Sequence, residues 1–105
     1  MKEKVSIYKF RDAMVKYGFS YQGSTALYEY LEQYEEDTEY EFEFDPIAFN
    51  CDFTEYESEE ELLSQYNSCD TLEDIEDNTI LIRFKKEDYF SDKVVIEERF
   101  IIQNF

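Results

Sequence analysis

A chain of 105 residues, 43% apolar, with ten Phe, ten Tyr, two Gly and one Pro has material for one aromatic-rich core. It has too little Gly and Pro for a flexible linker or low-complexity tail. A net charge of −17 works against binding nucleic acid or anionic membranes, and a complete lack of His excludes a Cys–His nucleophile. The charge is segregated. Residues 1–16 carry five basic and two acidic side chains, 17–82 carry twenty acidic and no basic ones, and 83–105 carry five of each.

Ser6 is placed to cap a first helix with Ile7, Phe10, Met14 and Tyr17 on one face, ended by Gly18. Ser24 then caps a second helix with the stripe Leu27, Tyr30, Leu31 and Tyr34. Glu29, Glu32, Glu35 and Glu36 fall largely outside that stripe. An ordinary solvated face would mix signs in Glu–Lys pairs four residues apart, and no lysine is present to make them. The segment 39–45 alternates Glu39, Glu41, Glu43 and Asp45 with Tyr40, Phe42 and Phe44, a period of two that predicts a half-buried strand. Asp45-Pro46 reads as a tight turn. Ile47, Phe49, Cys51 and Phe53 then alternate with Ala48, Asn50, Asp52 and Thr54, predicting a second strand and a hairpin.

Ser58 and Glu61 have capping-box spacing ahead of Leu62, Leu63 and Tyr66, and Thr71 with Asp74 repeats it around Leu72 and Ile75. TILIRF (79–84) and KVVIEERFIIQ (93–103) predict two further strands joined by a polar turn around Lys85–Asp88. The expected architecture is a single α+β domain over 1–105. Its sheet is small and mostly antiparallel, with about four strands and helices packed on one face. Cys51 and Cys69, with no CxxC spacing, suit small apolar fillers in a reducing cytosol better than a disulfide.

No Gly-rich phosphate loop, GxSxG, zinc-ligand arrangement or DxDxDG calcium loop occurs, so no enzyme activity, metal or cofactor is expected. No signal peptide or membrane span is visible, and the expected location is the cytoplasm of a bacterial cell. What remains is the carboxylate array. Alternate strand residues lie roughly 6.6–6.8 Å apart and helix neighbours roughly 5–6 Å, the same order as phosphates on a nucleic-acid strand. Two charges ~6.8 Å apart in water repel by ~0.6 kcal/mol before salt screening, so the acidic strand costs about 1 kcal/mol. Halophilic adaptation would acidify the whole surface, which the basic ends contradict.

The stretch FSYQGSTALYEYLEQYEEDTEYEFEFDPIAFNCDFTEYES (19–58), with LEDIEDNTILI (72–82) and the ending FIIQNF, resembles a group of small acidic bacteriophage proteins. That resemblance implies a phage or prophage origin. The charge pattern is also similar to phage anti-restriction and anti-CRISPR proteins, several of which act as DNA mimics. These readings converge on a non-enzymatic inhibitor that occupies the DNA-binding surface of a host defence protein, either an RNA-guided nuclease complex or a restriction–modification enzyme. It would not itself bind nucleic acid, and it is expected as a monomer or homodimer.

The partner-binding residues expected are Glu32, Glu35, Glu36, Asp37, Glu39, Glu41, Glu43 and Asp45, continued by Asp52, Glu55, Glu57, Glu59, Glu60 and Glu61, and by Asp70, Glu73, Asp74, Glu76 and Asp77. Tyr28, Tyr34, Tyr40 and Tyr56 are candidates for added contacts. The alternative is a small regulatory or adaptor protein that docks through an apolar surface, with its charge serving solubility.

Overall fold

A computed structural model describes residues 1, 4–90 and 92–105. The chain divides into two compact units, 1–52 and 53–105, each with its own logic. The class is α+β, with three strands rather than four among the described residues.

The first unit is helical. Ser6 caps α1 (Ile7–Val15), its side chain accepting the Lys9 amide at 3.1 Å, as its sequence position requires. Gly18, at φ +102°, turns the chain out of that helix through a backbone region that side chains disfavour. The next helix, α2 (Tyr21–Thr38), begins four residues earlier than expected because Ser20, not Ser24, is its cap. Ser20 accepts the Gly23 amide at 2.9 Å, while Ser24 lies buried inside the helix and donates to the Ser20 carbonyl at 2.8 Å.

Phe10 and Met14 of α1 and Leu27 and Leu31 of α2 are fully buried, each contributing about 1.5–3 kcal/mol of apolar burial. Tyr17, expected on the buried face of α1, is exposed. Phe10 meets Tyr28, Phe49 and Phe44 at ring distances of 5.4, 5.8 and 6.2 Å. Such tilted pairs add to area burial.

The hairpin expected over 39–54 is absent. Residues 39–45 are irregular backbone, and Pro46–Asp52 form a helix, α3, not a strand. Asp45-Pro46 is a helix start: the Asp45 carboxylate accepts the Ala48 amide at 3.1 Å, its carbonyl accepts that of Phe49 at 3.0 Å, and Pro46 takes the first helical position. The alternation of 39–45 is still real as burial. Glu41, Glu43 and Asp45 are exposed while Phe42 and Phe44 turn inward. Aromatic contacts replace the missing ladder: Phe42 packs on Tyr34, Tyr40 and Phe49, and Lys9 Nζ stands 5.2 Å from the Phe44 ring centre.

The second unit is a three-stranded antiparallel sheet in the order β1-β3-β2, with β1 at Phe53–Tyr56, β2 at Leu81–Phe90 and β3 at Lys93–Gln103. Two short helices, α4 (Glu59–Ser64) and α5 (Leu72–Asn78), connect β1 to β2. Leu62, Cys69, Leu72 and Ile75 pack with Tyr56, Phe100 and Ile102 from one sheet face into a core. Cys69 is thus the apolar filler expected, while Cys51 is an exposed thiol on α3.

Both predicted caps form. Ser58 accepts the Glu61 amide, though the Glu61 carboxylate reaches back to the Glu57 amide rather than that of Ser58; Thr71 and Asp74 complete a reciprocal capping box. The polar run Lys85–Asp88 is not a turn. It lies within β2, where Lys85 stands opposite Glu98 and Lys86 opposite Glu97, and the pairing with β3 runs on to Phe90 opposite Lys93. Opposite charges directly across a ladder stabilise it, and polarity alone had suggested a loop.

Candidate functional site

The C-terminal half of α2 and the segment after it form an open cleft of about 700 Å³. Six carboxylates line it, Glu29, Glu32, Glu35, Glu36, Glu39 and Glu41, together with Met1, Tyr28, Gln33 and Tyr40, and among the described residues no lysine or arginine does. The first four sit at helical spacings of three and four, which places them on one face about 5–6 Å apart.

Helix physics does not explain this placement. A helix C-terminus carries partial negative charge and favours cations, yet the last turn of α2 holds Glu35, Glu36 and Asp37 and no base. The helix closes on Glu39 in the left-handed conformation, φ 60°, a position where Gly or Asn is the usual choice.

Within the cleft the carboxylates differ in role. Glu35 is a clamp: only 11% of its side chain is exposed, one oxygen pairs with the Met1 ammonium at 2.8 Å and the other accepts the Phe42 amide at 2.8 Å. It ties the irregular segment back to the helix and so shapes the cleft wall. Asp37 accepts from Gln33 at 2.9 Å on the exposed side. Glu32 is half-buried, and Glu36, Glu39 and Glu41 face solvent. Tyr28 donates its hydroxyl to the Val5 carbonyl at 2.9 Å. Burial, then the charge and hydrogen bond of Glu32 and the charge of Glu35, push its phenol above the ordinary tyrosine range. Glu29 was not among the expected contact residues, although its spacing of three from Glu32 marked it as a member of the same face.

The acids of the second unit are placed otherwise. Glu59, Glu60 and Glu61 occupy the first turn of α4, and Glu73 and Asp74 that of α5, where a helix N-terminus favours negative charge. Arg99 gathers Glu55 at 3.0 Å, Glu97 at 3.4 Å and Glu57 at 3.9 Å. Burial disfavours its charge, but those three carboxylates outweigh that and hold the guanidinium above its usual range. Arg83 binds Glu76 at 2.6 Å. Asp70 and Asp77 are exposed.

The nineteen expected contact residues therefore do not form one row. Glu32, Glu35, Glu36, Glu39 and Glu41 meet in the cleft; Glu43, Asp45 and Asp52 lie exposed beyond it in the same unit; Glu55, Glu57, Glu61, Asp74 and Glu76 are engaged within the second unit. Of the four tyrosines, Tyr34 and Tyr40 are exposed, Tyr28 is half-buried, and Tyr56 belongs to the second unit's core.

Among the described residues no group of three or more His, Cys, Asp or Glu side chains is placed to hold a metal ion, and no helix is long and apolar enough to cross a membrane. No family model, curated protein or solved structure matches the chain.

Proposed function

We propose that this protein is a non-enzymatic inhibitor made by a phage or mobile element. It presents a nucleic-acid-like array of carboxylates to the DNA-binding surface of a host defence protein, an RNA-guided nuclease complex or a restriction–modification enzyme. The observation that carries the reading is the α2 cleft. Carboxylates are concentrated at the end of a helix where they oppose its dipole, around a left-handed Glu, and among the described residues the Met1 ammonium is the cation that meets them in the cleft. The Glu35 clamp aside, that placement opposes the helix dipole, and contact with a cationic partner would account for it. Glu29, Glu32, Glu36, Glu39 and Glu41 would face phosphate-binding Arg and Lys, with exposed Tyr40 at the rim and Tyr34 packed edge-on against it.

The test is inhibition in a purified system. Added to a panel of restriction and RNA-guided enzymes, the protein should inhibit stoichiometrically, and cognate DNA added first should protect the enzyme. Inhibition should weaken steeply with salt and with Glu32→Gln, Glu36→Gln and Glu41→Gln combined, while the protein alone binds neither DNA nor RNA at physiological salt. Micromolar binding to DNA, or inactivation at substoichiometric amounts, refutes charge mimicry.

The adaptor reading also has an observation in its favour, the exposed apolar side chains of the β2–β3 hairpin. A partner held by that surface would scarcely respond to salt and would be indifferent to the cleft substitutions.

A further inference from the structure

The β2–β3 hairpin extends well past the rest of its sheet. Strand β1 pairs only with Phe100–Gln103, so along Lys93–Arg99 no described strand covers that edge of β3. The same stretch carries apolar side chains into solvent: Val94 is 53% exposed, Val95 40% and Ile96 57%, beside Tyr89 at 72%. A bare apolar edge of this kind is a template for another strand.

The sequence of the edge selects its occupant. Closed antiparallel pairing of two identical strands requires a twofold axis perpendicular to the sheet. Directly opposed residues share a face, and side chains alternate along a strand, so only registers centred on a single residue close. Centred on Val95, that residue meets Val95 of the partner subunit and Val94 meets Ile96 of the partner subunit. On the face of Val95, Lys93 meets Glu97 of the partner subunit, and symmetry makes each of these last two contacts twice. Apolar side chains thus oppose apolar ones in the middle, with opposite charges at both ends. Shifting the centre to Ile96 sets Lys93 against Arg99 and Val95 against Glu97, and shifting it to Val94 sets Lys93 against Val95. The outer edge of β2 offers nothing equivalent, because its central registers oppose Lys86 to Lys86 or Glu87 to Glu87.

We propose that the protein forms a homodimer in which two copies of β3 pair edge to edge across Lys93–Glu97. The hairpins then make one four-stranded antiparallel sheet in the order β2-β3-β3-β2. Pairing stops at Glu97, short of the residues that β1 occupies. Glu97 also accepts a hydrogen bond from Arg99 at 3.4 Å, and a carboxylate has acceptor capacity for both. The contact is small, which places it among weak, concentration-dependent associations. It is independent of the charge-mimic reading. It also assigns the hairpin to a second copy and removes the surface on which an adaptor would dock.

Sedimentation velocity from micromolar to millimolar protein tests it. The wild-type chain should pass reversibly from one chain to two, and Val95→Lys, which places two lysines on the axis, should sediment as single chains with unchanged circular dichroism. Lys93→Glu and Glu97→Lys should each weaken the dimer roughly tenfold, since each substitution spoils two symmetric charge pairs. Mixed in equal amounts, those two variants should recover it, because every glutamate of one then faces a lysine of the other. The mixing result decides the matter even if Val95→Lys does not fold. Single chains at every concentration, open-ended aggregates, or a dimer indifferent to these substitutions would overturn the proposal.

Discussion

The two units use the same residue type to opposite ends. In 53–105 nearly every acid has a structural return: a helix N-terminus, a capping hydrogen bond, or a guanidinium. In 1–52 the acids crowd the C-terminal half of α2, where the helix dipole and their neighbours both oppose them. Glu35 and Asp45 do structural work there, as a clamp and a cap. Composition alone makes the two sets look like one continuous block, and only their placement separates charge that holds the fold from charge that weighs on it.

The comparison can be broken most forcefully at Arg99. Its side chain and that of Glu55 are only 11% and 10% exposed, so Arg99→Ala leaves a carboxylate desolvated without its cation. A loss of about 3 kcal/mol is expected in urea denaturation, with no effect on capture of a basic partner by the cleft. A loss below about 0.5 kcal/mol would show that this pair behaves like an exposed ion pair and that the contrast is overdrawn.

Thr71→Ala removes one half of the capping box of α5 and should cost about 1 kcal/mol by the same measurement. Glu36→Lys runs the other way. It places a cation in the last turn of α2 and four residues from Glu32, and should raise stability by about 0.5 kcal/mol while weakening partner binding. If it destabilises the chain instead, the cleft acids are structural too and the distinction between the units collapses.

The smallest expected effect is alkaline. Because the folded state raises the Tyr28 phenol above its ordinary value, the stability tied to its neutral form is complete below about pH 10 and is lost as pH rises through the folded value. Thermal melts of Tyr28→Phe should show a shallower decline above that pH than the parent chain, alongside a uniform loss from the missing bond to Val5. Parallel curves for the two proteins would mean that the anionic cleft does not bear on this phenol.

Local signals were the legible ones. Ser6, Gly18, Ser58 and the Thr71–Asp74 pair each act within one helical turn, and the structure uses all of them. Ser24 was a local misreading, since Ser20 four residues earlier is the cap, but the misread segments needed information from further away. Residues 39–45 alternate because Phe42 and Phe44 find aromatic partners on other elements, and a period of two cannot tell such a strap from a laddered strand. Asp45-Pro46 fits a turn or a helix start equally well until Phe49 is seen to be buried beside Phe10. The polar run inside β2 became legible only with its register against Glu97 and Glu98. For the site, the sign and span of the charge were visible in sequence, but its separation into an acidic cleft and a set of structural carboxylates depends on helix ends that one-dimensional spacing does not locate.

Glu39 carries a consequence for how this chain can change. Glycine and glutamate codons differ by a single base, and glycine at a left-handed cap relieves backbone cost of about 1 kcal/mol. Glu39→Gly would at the same stroke discharge the rim of the cleft. One mutational step therefore trades binding for stability, and the two selections pull on the same codon in opposite directions. In a library displayed and sorted only for resistance to unfolding, Glu39→Gly should be among the early winners; sorted for capture by a basic partner surface, the glutamate should hold.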